Sequence, residues 1–387
     1  MSHELGPIVA VRWQPFRVPF SVPAHTSRTA LGEREGYIVT LETADGSVGL
    51  GEASPLSDFA GGEFREVAIA LEEHALELLH QPADSAWSLP FFESRVTAPS
   101  NRVAAAGIET ALADLLARRA GQPLWSWLAT RAGVQVSTPI EIPANALIDG
   151  STAAEVRDSI QSPGLADFAV LKLKVGAASR AVDIQRVSAA RSAAPNAELR
   201  IDANGAWDDD TAFEMLCALE PFGVGLCEQP LDPRRPDVLE ATARLRRVVP
   251  VRVALDESCR TVEQLRLAMS NAAVDAIVIK PMFTGLKAAG EMLRIASSEG
   301  LPTIVTTAFD TGIGTAMAVH LAALLPSPRT ACGLATISRL EHSLVPGNSL
   351  AGHPRMSPPN GPGLGVCLDA EALQRYATGP ELQVPVA

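Results

Sequence analysis

The sequence predicts an α/β protein: a closed parallel (β/α)8-type, TIM-like barrel carrying an α+β capping domain. Three observations predict it. Eight short apolar runs with β-branched residues recur from residue 138 onward. Amphipathic helical patterns lie between most of them. Charged residues interrupt the runs at intervals close to one strand–helix unit.

The runs are "TPIEIPANALI" (138–148), "FAVLKLKVG" (168–176), "ELRIDANGAW" (198–207), "VGLCEQPL" (224–231), "VRVALDES" (251–258), "AIVIKPMF" (276–283), "PTIVTTAFD" (302–310) and "ACGLATI" (331–337). Each is short enough for a buried strand. Between them, apolar residues fall three and four apart. Examples are Ile184, Val187, Ala190 and Ala194, then Leu286, Ala289, Leu293 and Ala296. That is the spacing of one helix face. The acidic cluster Asp208 to Thr211 reads as a helix start before Phe213, Leu216 and Cys217. Such alternation makes a parallel sheet. No Gly-rich dinucleotide turn follows the first strand, which weighs against an open doubly wound sheet.

Residues 1–135 lack the alternation and read as the separate α+β cap. "GYIVTLETADGSVGLGEA" (36–53) is a hairpin that turns at Asp45-Gly46. "FREVAIALEEHALELLH" (64–80) and "NRVAAAGIETALADLLARRA" (101–120) are helices. Residues 136–345 form the barrel. Residues 346–387 are rich in Pro and Gly until "DAEALQRYA" (369–377), and are expected to return to the cap.

Composition bounds the partners. The formal charge of −12 disfavours nucleic acid. No apolar run is long enough to span a membrane, and the N-terminus lacks a signal-peptide pattern. Five cysteines without close spacing fit a reducing, cytoplasmic setting. Ala-rich outer helices permit a homo-oligomer.

Inside "FAVLKLKVG", Lys172 and Lys174 lie two apart, so both point to the same face of the strand. Burying two like charges is costly and calls for partners. From Lys174, the next strand-end charges are Asp202, Glu228, Asp256 and Lys280, at gaps of 28, 26, 28 and 24 residues. In a barrel these ends converge on one face. Three carboxylates together repel unless a cation joins them, and hard oxygen ligands suit Mg2+, with Mn2+ as substitute. Lysines on either side would then face each other. A lysine beside other cations has a depressed pKa and works as a base near neutral pH. The implied chemistry is proton abstraction next to a carboxylate, with the metal stabilising the enediolate. Taken singly, each residue has a plainer explanation. Asp202 and Asp256 would cap local turns, Lys280 would be a loop cation before Pro281, and Lys172 and Lys174 would pair with acids outside the barrel. Their common register speaks against that explanation for the set.

"KLKVG", "DANGAW", "EQPL", "ALDES" and "IKP", in this order, resemble the enolase superfamily in its muconate-lactonising-enzyme subgroup. "GEASPLSDF" (51–59) is similar to the loop closing the barrel mouth in that group. The resemblance implies Asp202, Glu228 and Asp256 as Mg2+ ligands and Lys174 as a base. It makes Lys172 the electrostatic neighbour, sets Lys280 opposite and places Asn204 near the metal. A lysine base beside Mg2+ is a documented pattern of this superfamily.

Within the subgroup, "TSRTALGEREGYIVTL" (26–41), "TTAFDTGIGTAMAVHLAALLP" (306–326) and "GPGLGVCLD" (361–369) resemble o-succinylbenzoate synthases. Dipeptide epimerases of the subgroup carry Asp-x-Asp at the eighth strand end, where this chain reads "GLATIS" (333–338). The resemblance implies syn-dehydration of 2-succinyl-6-hydroxy-2,4-cyclohexadiene-1-carboxylate, with Lys280 as a cation over the ring. It also implies that Thr306, Thr307, Ser54 and Arg28 meet the rest of this small carboxylate substrate. An N-acylamino acid or N-succinylamino acid racemase, which needs both Lys174 and Lys280 as bases, or another epimerase of the subgroup, is the alternative inside the family. A metal-free Schiff-base aldolase and a non-catalytic metal-binding scaffold are the alternatives outside it.

Overall fold

The computed structural model describes residues 6–25, 30–57, 60–88, 98–138, 140–347 and 350–384. Arg28, expected to meet substrate, lies outside the described residues.

An antiparallel sheet opens the chain. Strands β1 (Ile8–His25), β2 (Ala30–Thr43) and β3 (Val48–Ala53) lie side by side. The turn after β2 places Gly46 at φ +80°, the left-handed conformation glycine adopts without cost. The long first strand was not among the sequence expectations, although its buried residues alternate over Phe16, Val18 and Phe20. Helices α1 (Phe64–Leu78), α2 (Ala83–Ser88), α3 (Pro99–Arg119) and α4 (Leu124–Ala132) follow. Helix α3 is buried on nearly every side, and β3 presses onto it without intervening side chains. A Cβ on Gly51 would stand 1.9 Å from the Gly107 carbonyl oxygen, and one on Gly49 2.0 Å from that of Ala111. Only glycine permits so close an approach.

From residue 142 the chain alternates as the apolar runs predict. After a two-residue β4 (Ile142–Pro143) come β5 (Asn145–Ile148), β6 (Val170–Lys174), β7 (Glu198–Asp202), β8 (Val224–Glu228), β9 (Arg252–Leu255), β10 (Ala276–Ile279) and β11 (Thr303–Val305). These last seven form one parallel sheet in sequence order. Between them run α5 (Ala153–Gln161), α6 (Arg180–Ala193), α7 (Asp209–Leu219), α8 (Val238–Arg246) and α9 (Val262–Ser270). A short turn α10 (Pro281–Thr284) leads into α11 (Leu286–Ser298), and α12 (Gly312–Ala322) follows β11. Helix starts are chemically marked. Thr152 and Glu155 form a capping box on α5, and the Asp208 side chain accepts from the Thr211 amide on α7. The face of α11 read from the sequence is the buried one: Leu286, Ala289, Leu293 and Ala296.

The eighth strand, expected over 331–337, is not a regular strand. Cys332 bridges Ala144, Gly333 bridges Thr306, and the chain then enters a 3-10 turn at Ile337–Arg339. Those two bridges still link both edges of the sheet, because Asn145 and Thr307 donate their amides to the Cys332 and Gly333 carbonyls. Inside the ring, Leu226, Ala254, Ala276, Val278 and Ile304 make a separate apolar plug. It fills the barrel beneath the strand ends, as side-chain layers do in this architecture.

The tail returns to the cap. Strand β12 (Arg355–Met356) pairs with β4, helix α13 (Ala370–Tyr376) follows, and β13 (Leu382–Gln383) pairs with β1. No helix among the described residues is long and apolar enough to cross a membrane.

Candidate active site

The two lysines of β6 alternate with Leu171 and Leu173, which are buried on the helix side of the sheet. Strand alternation therefore turns both ammonium groups into the barrel. The parallel register sets Lys174 beside Asp202, and Asp202 beside Glu228. Asp256 and Lys280 follow directly after β9 and β10. In the strand order, β10 is four places from β6, so Lys280 faces the β6 lysines across the ring.

A cavity of about 730 Å3, counted with its open mouth, lies over these strand ends. The strand ends from β6 to β10 contribute Lys172, Lys174, Asp202, Asn204, Glu228 and Lys280 to its lining. From β11 onward the lining is Ile304, Thr306, Thr307, Ala308, Phe309, Gly333 and Thr336, and none of these is charged. Leu56 of the cap closes over it. Asn204, Gln229 and Phe309, at strand-end turns around the site, have left-handed backbones with φ of +44°, +40° and +60°. Such conformations in non-glycine residues cluster at functional sites.

Within the site, Lys172 Nζ donates to Asp202 Oδ2 and Glu228 Oε2, both at 2.8 Å. Lys280 pairs with Asp256, whose other oxygen lies 3.4 Å from Arg260. Burial pulls the Lys172 ammonium down, but Asp202 and Glu228 outweigh it and raise its pKa. Lys174 shifts the opposite way. Burial lowers its pKa, Asp202 opposes the shift, and the charges of Lys172 and Lys280 reinforce it. Glu228 is raised by burial and by Asp202. Asp202 resists its own burial and is lowered by the three lysines. The cost of two lysines in one strand is thus met unequally: two carboxylates pair with Lys172, and Lys174 carries the depressed pKa.

The expected residues fare differently. Lys172, Lys174, Lys280, Asp202, Glu228, Asn204, Thr306 and Thr307 line the cavity, and Asp256 lies buried against Lys280. Ser54 is a correction. It is fully buried, its hydroxyl donates to Glu52 at 2.8 Å and its carbonyl accepts from Arg34 at 2.6 Å, so it does not line the cavity. The three carboxylates also differ from the expectation in one respect. Among the described residues, no three His, Cys, Asp or Glu side chains are grouped to hold a metal ion; Lys172 pairs with Asp202 and Glu228, and Lys280 pairs with Asp256.

Other residues of the site were not foreseen. Gln229 accepts the amides of Asp256 and Ser258, each at 3.1 Å, and so ties one strand end to the next. Glu257 accepts from the Asn204 carboxamide at 3.2 Å. Arg200 lines the cavity floor and donates to the Ala331 carbonyl at 2.8 Å. It precedes Asp202 by two, so the period that joins Lys172 to Lys174 would have found it.

Two family models match the chain: "Enolase C-terminal domain-like" over residues 151–372, and "Mandelate racemase / muconate lactonizing enzyme, N-terminal domain" over residues 8–129. The chain belongs to the enolase superfamily, in its muconate-lactonising-enzyme subgroup. It is 32% identical to muconate cycloisomerase 1 of Rhodococcus opacus, over 95% of this chain and 98% of that one. It is 36% identical to an o-succinylbenzoate synthase of Thermobifida fusca, over 57% of this chain and 68% of that one. A dipeptide epimerase from Cytophaga hutchinsonii, solved with Mg and D-Ala-L-Val, shares the fold. Its TM-score is 0.86 at 23% identity, covering 98% of this chain and 100% of that one. This enolase-superfamily member thus resembles a muconate cycloisomerase, an o-succinylbenzoate synthase and a dipeptide epimerase.

Proposed function

We propose that this enolase-superfamily chain is a Mg2+-dependent o-succinylbenzoate synthase serving menaquinone synthesis in the cytoplasm. The observation that carries the reading is the contrast between two stretches of the cavity wall. The ends of β6 to β10 hold a lysine with a depressed pKa among carboxylates, and the stretch from β11 to residue 336 holds threonines, a glycine and Phe309 without any charge. A substrate with an ammonium group would find no acid at the eighth strand position, where the chain reads "GLATIS". The proposed substrate has a ring carboxylate and a succinyl tail with a ketone and a second carboxylate, and it brings no ammonium group that would need an acid there.

The donor chemistry suits a hard divalent cation. Asp202, Glu228 and Asp256 are buried at successive strand ends, paired here with Lys172 and Lys280, and Glu228 Oε1 is buried without a hydrogen-bond partner. We assign Asp202, Glu228 and Asp256 to Mg2+, or to Mn2+ in its place. The bound cation would supply the positive charge that stabilises electrons released onto the substrate carboxylate.

The chain's own residues do the rest. Lys174 takes the proton α to the carboxylate. Its ammonium then gives that proton to the departing hydroxyl on the same face, so the C–H and C–OH bonds break, water leaves and the ring becomes aromatic. Lys172 holds the base's pKa down. Lys280, across the ring, offers a cation to the substrate's π face. Thr306 Oγ1, which is buried without a partner, and Thr307 are placed for the carbonyl tail.

The same two lysines favour one other reading, racemisation of an N-succinyl amino acid. The two separate in D2O with Mg2+ present. A synthase converts the cyclohexadiene substrate to o-succinylbenzoate far faster than it exchanges the α-proton of N-succinyl amino acids. Fast exchange without dehydration would replace the proposal by the racemase.

A further inference from the structure

Glu52 lies next to the last residue of β3 in the cap, is fully buried and does not line the cavity. Both its oxygens reach the start of α12. Oε1 accepts from the Ser54 hydroxyl at 2.8 Å and the Thr311 amide at 3.0 Å. Oε2 accepts from the Thr311 hydroxyl at 2.6 Å and the Gly314 amide at 2.7 Å. The carboxylate therefore seats on the first turn of α12, where amide groups lack helical partners and the dipole favours negative charge. Gly314 makes room for it, since a Cβ there would lie 2.9 Å from Oε2.

The neighbouring Arg34 reinforces the junction. It is also fully buried, donates to the carbonyls of Ser54 and Pro55, and pairs with Asp310 at 3.4 Å. Asp310 in turn accepts the Ala308 amide at 3.3 Å. Both segments held in this way face substrate. The cap segment continues into Leu56 and the barrel segment carries Thr306 to Phe309, all of which line the cavity.

We propose that Glu52 is a positioning residue: it locks the cap segment 54–56 to the barrel turn 306–311 and thereby sets the shape of the substrate-facing mouth. The claim rests on this cavity being the substrate site proposed above. Glu52→Gln is the informative variant. Each oxygen of Glu52 accepts a backbone amide, so either orientation of a glutamine sets its NH2 group against a donor.

Two readouts test the lock on the intact, Mg2+-loaded protein. By hydrogen–deuterium exchange, Glu52→Gln should speed exchange in 50–56 and 303–314 together, while strands β6 to β8 keep their protection. In turnover of the cyclohexadiene substrate, KM should rise about tenfold while kcat stays within about threefold. Mn2+ affinity, which reports on the barrel carboxylates, should stay within twofold. Thr311→Val, which removes one hydroxyl donor, should shift both readouts the same way by less, and it carries the test if Glu52→Gln does not fold. Unchanged exchange in 303–314 overturns the proposal. So does an unchanged KM, or a loss of kcat in step with Mn2+ affinity. If the wild type shows no turnover but the two segments loosen together, the lock stands and the synthase reading falls.

Discussion

At the scale of single residues, the site turns on the division between Lys172 and Lys174. Both were visible in the sequence because strand alternation fixes their common side. Their unlike roles were only partly visible. The gaps to Asp202 and Glu228 placed carboxylates nearby, but which lysine they would grip depends on side-chain reach at 2.8 Å. That division predicts a pH effect. With Lys174 as the proposed base, kcat/KM should climb with pH up to a lysine pKa that burial, Lys172 and Lys280 hold below its usual place. Removing the Lys172 charge leaves Asp202 less opposed, so the base's pKa rises. The ascending limb of the pH–rate profile should therefore move to higher pH in Lys172→Met. A limb that stays in place would separate Lys172 from the tuning of the base. Ser54 shows where residue-scale reading stops: its serine suggested a substrate contact, and its partners are Glu52 and Arg34.

At the scale of elements, strands and helices followed from period and caps, because those signals are local. Packing between elements did not, although some of it leaves a trace. "VGLGEA" reads as the second arm of a hairpin, and the structure shows why its glycines alternate: Gly49 and Gly51 turn one bare face to α3. Gly51→Ala should force β3 and α3 apart and cost about 1–3 kcal/mol, the usual range for overpacking a tight interior. Thermal or denaturant unfolding measures it. An unchanged midpoint would mean that the two elements separate without strain. The reduced eighth strand belongs to this scale too. "ACGLATI" has strand composition, but Gly333 adds no side chain to the barrel lining, and the chain leaves the sheet after two bridges.

At the scale of the whole molecule, cap and barrel meet through buried carboxylates that no local pattern reveals. Glu52 reaches Thr311 across 259 residues, and Glu109 of α3 accepts the Lys287 amide across 178. Each sits at the first turn of a barrel helix, α12 for Glu52 and α11 for Glu109. Burial pushes the Glu109 carboxyl up to about 7, against its contact with Lys287. The long-range order of the charged strand ends was legible because one strand–helix unit repeats along the chain. The cap contacts have no such repeat and had to be seen in three dimensions.

The central claim is that one site, with Lys174 as its base among Asp202, Glu228 and Asp256, dehydrates a cyclohexadiene carboxylate. The most direct measurement is o-succinylbenzoate formation by the wild type and by Lys174→Ala, each with Mg2+ and with EDTA. The wild type should turn over with Mg2+ and lose activity in EDTA. Lys174→Ala should fall by about 10²–10⁴-fold or more, the range for a removed general base. Turnover by Lys174→Ala close to that of the wild type would contradict it.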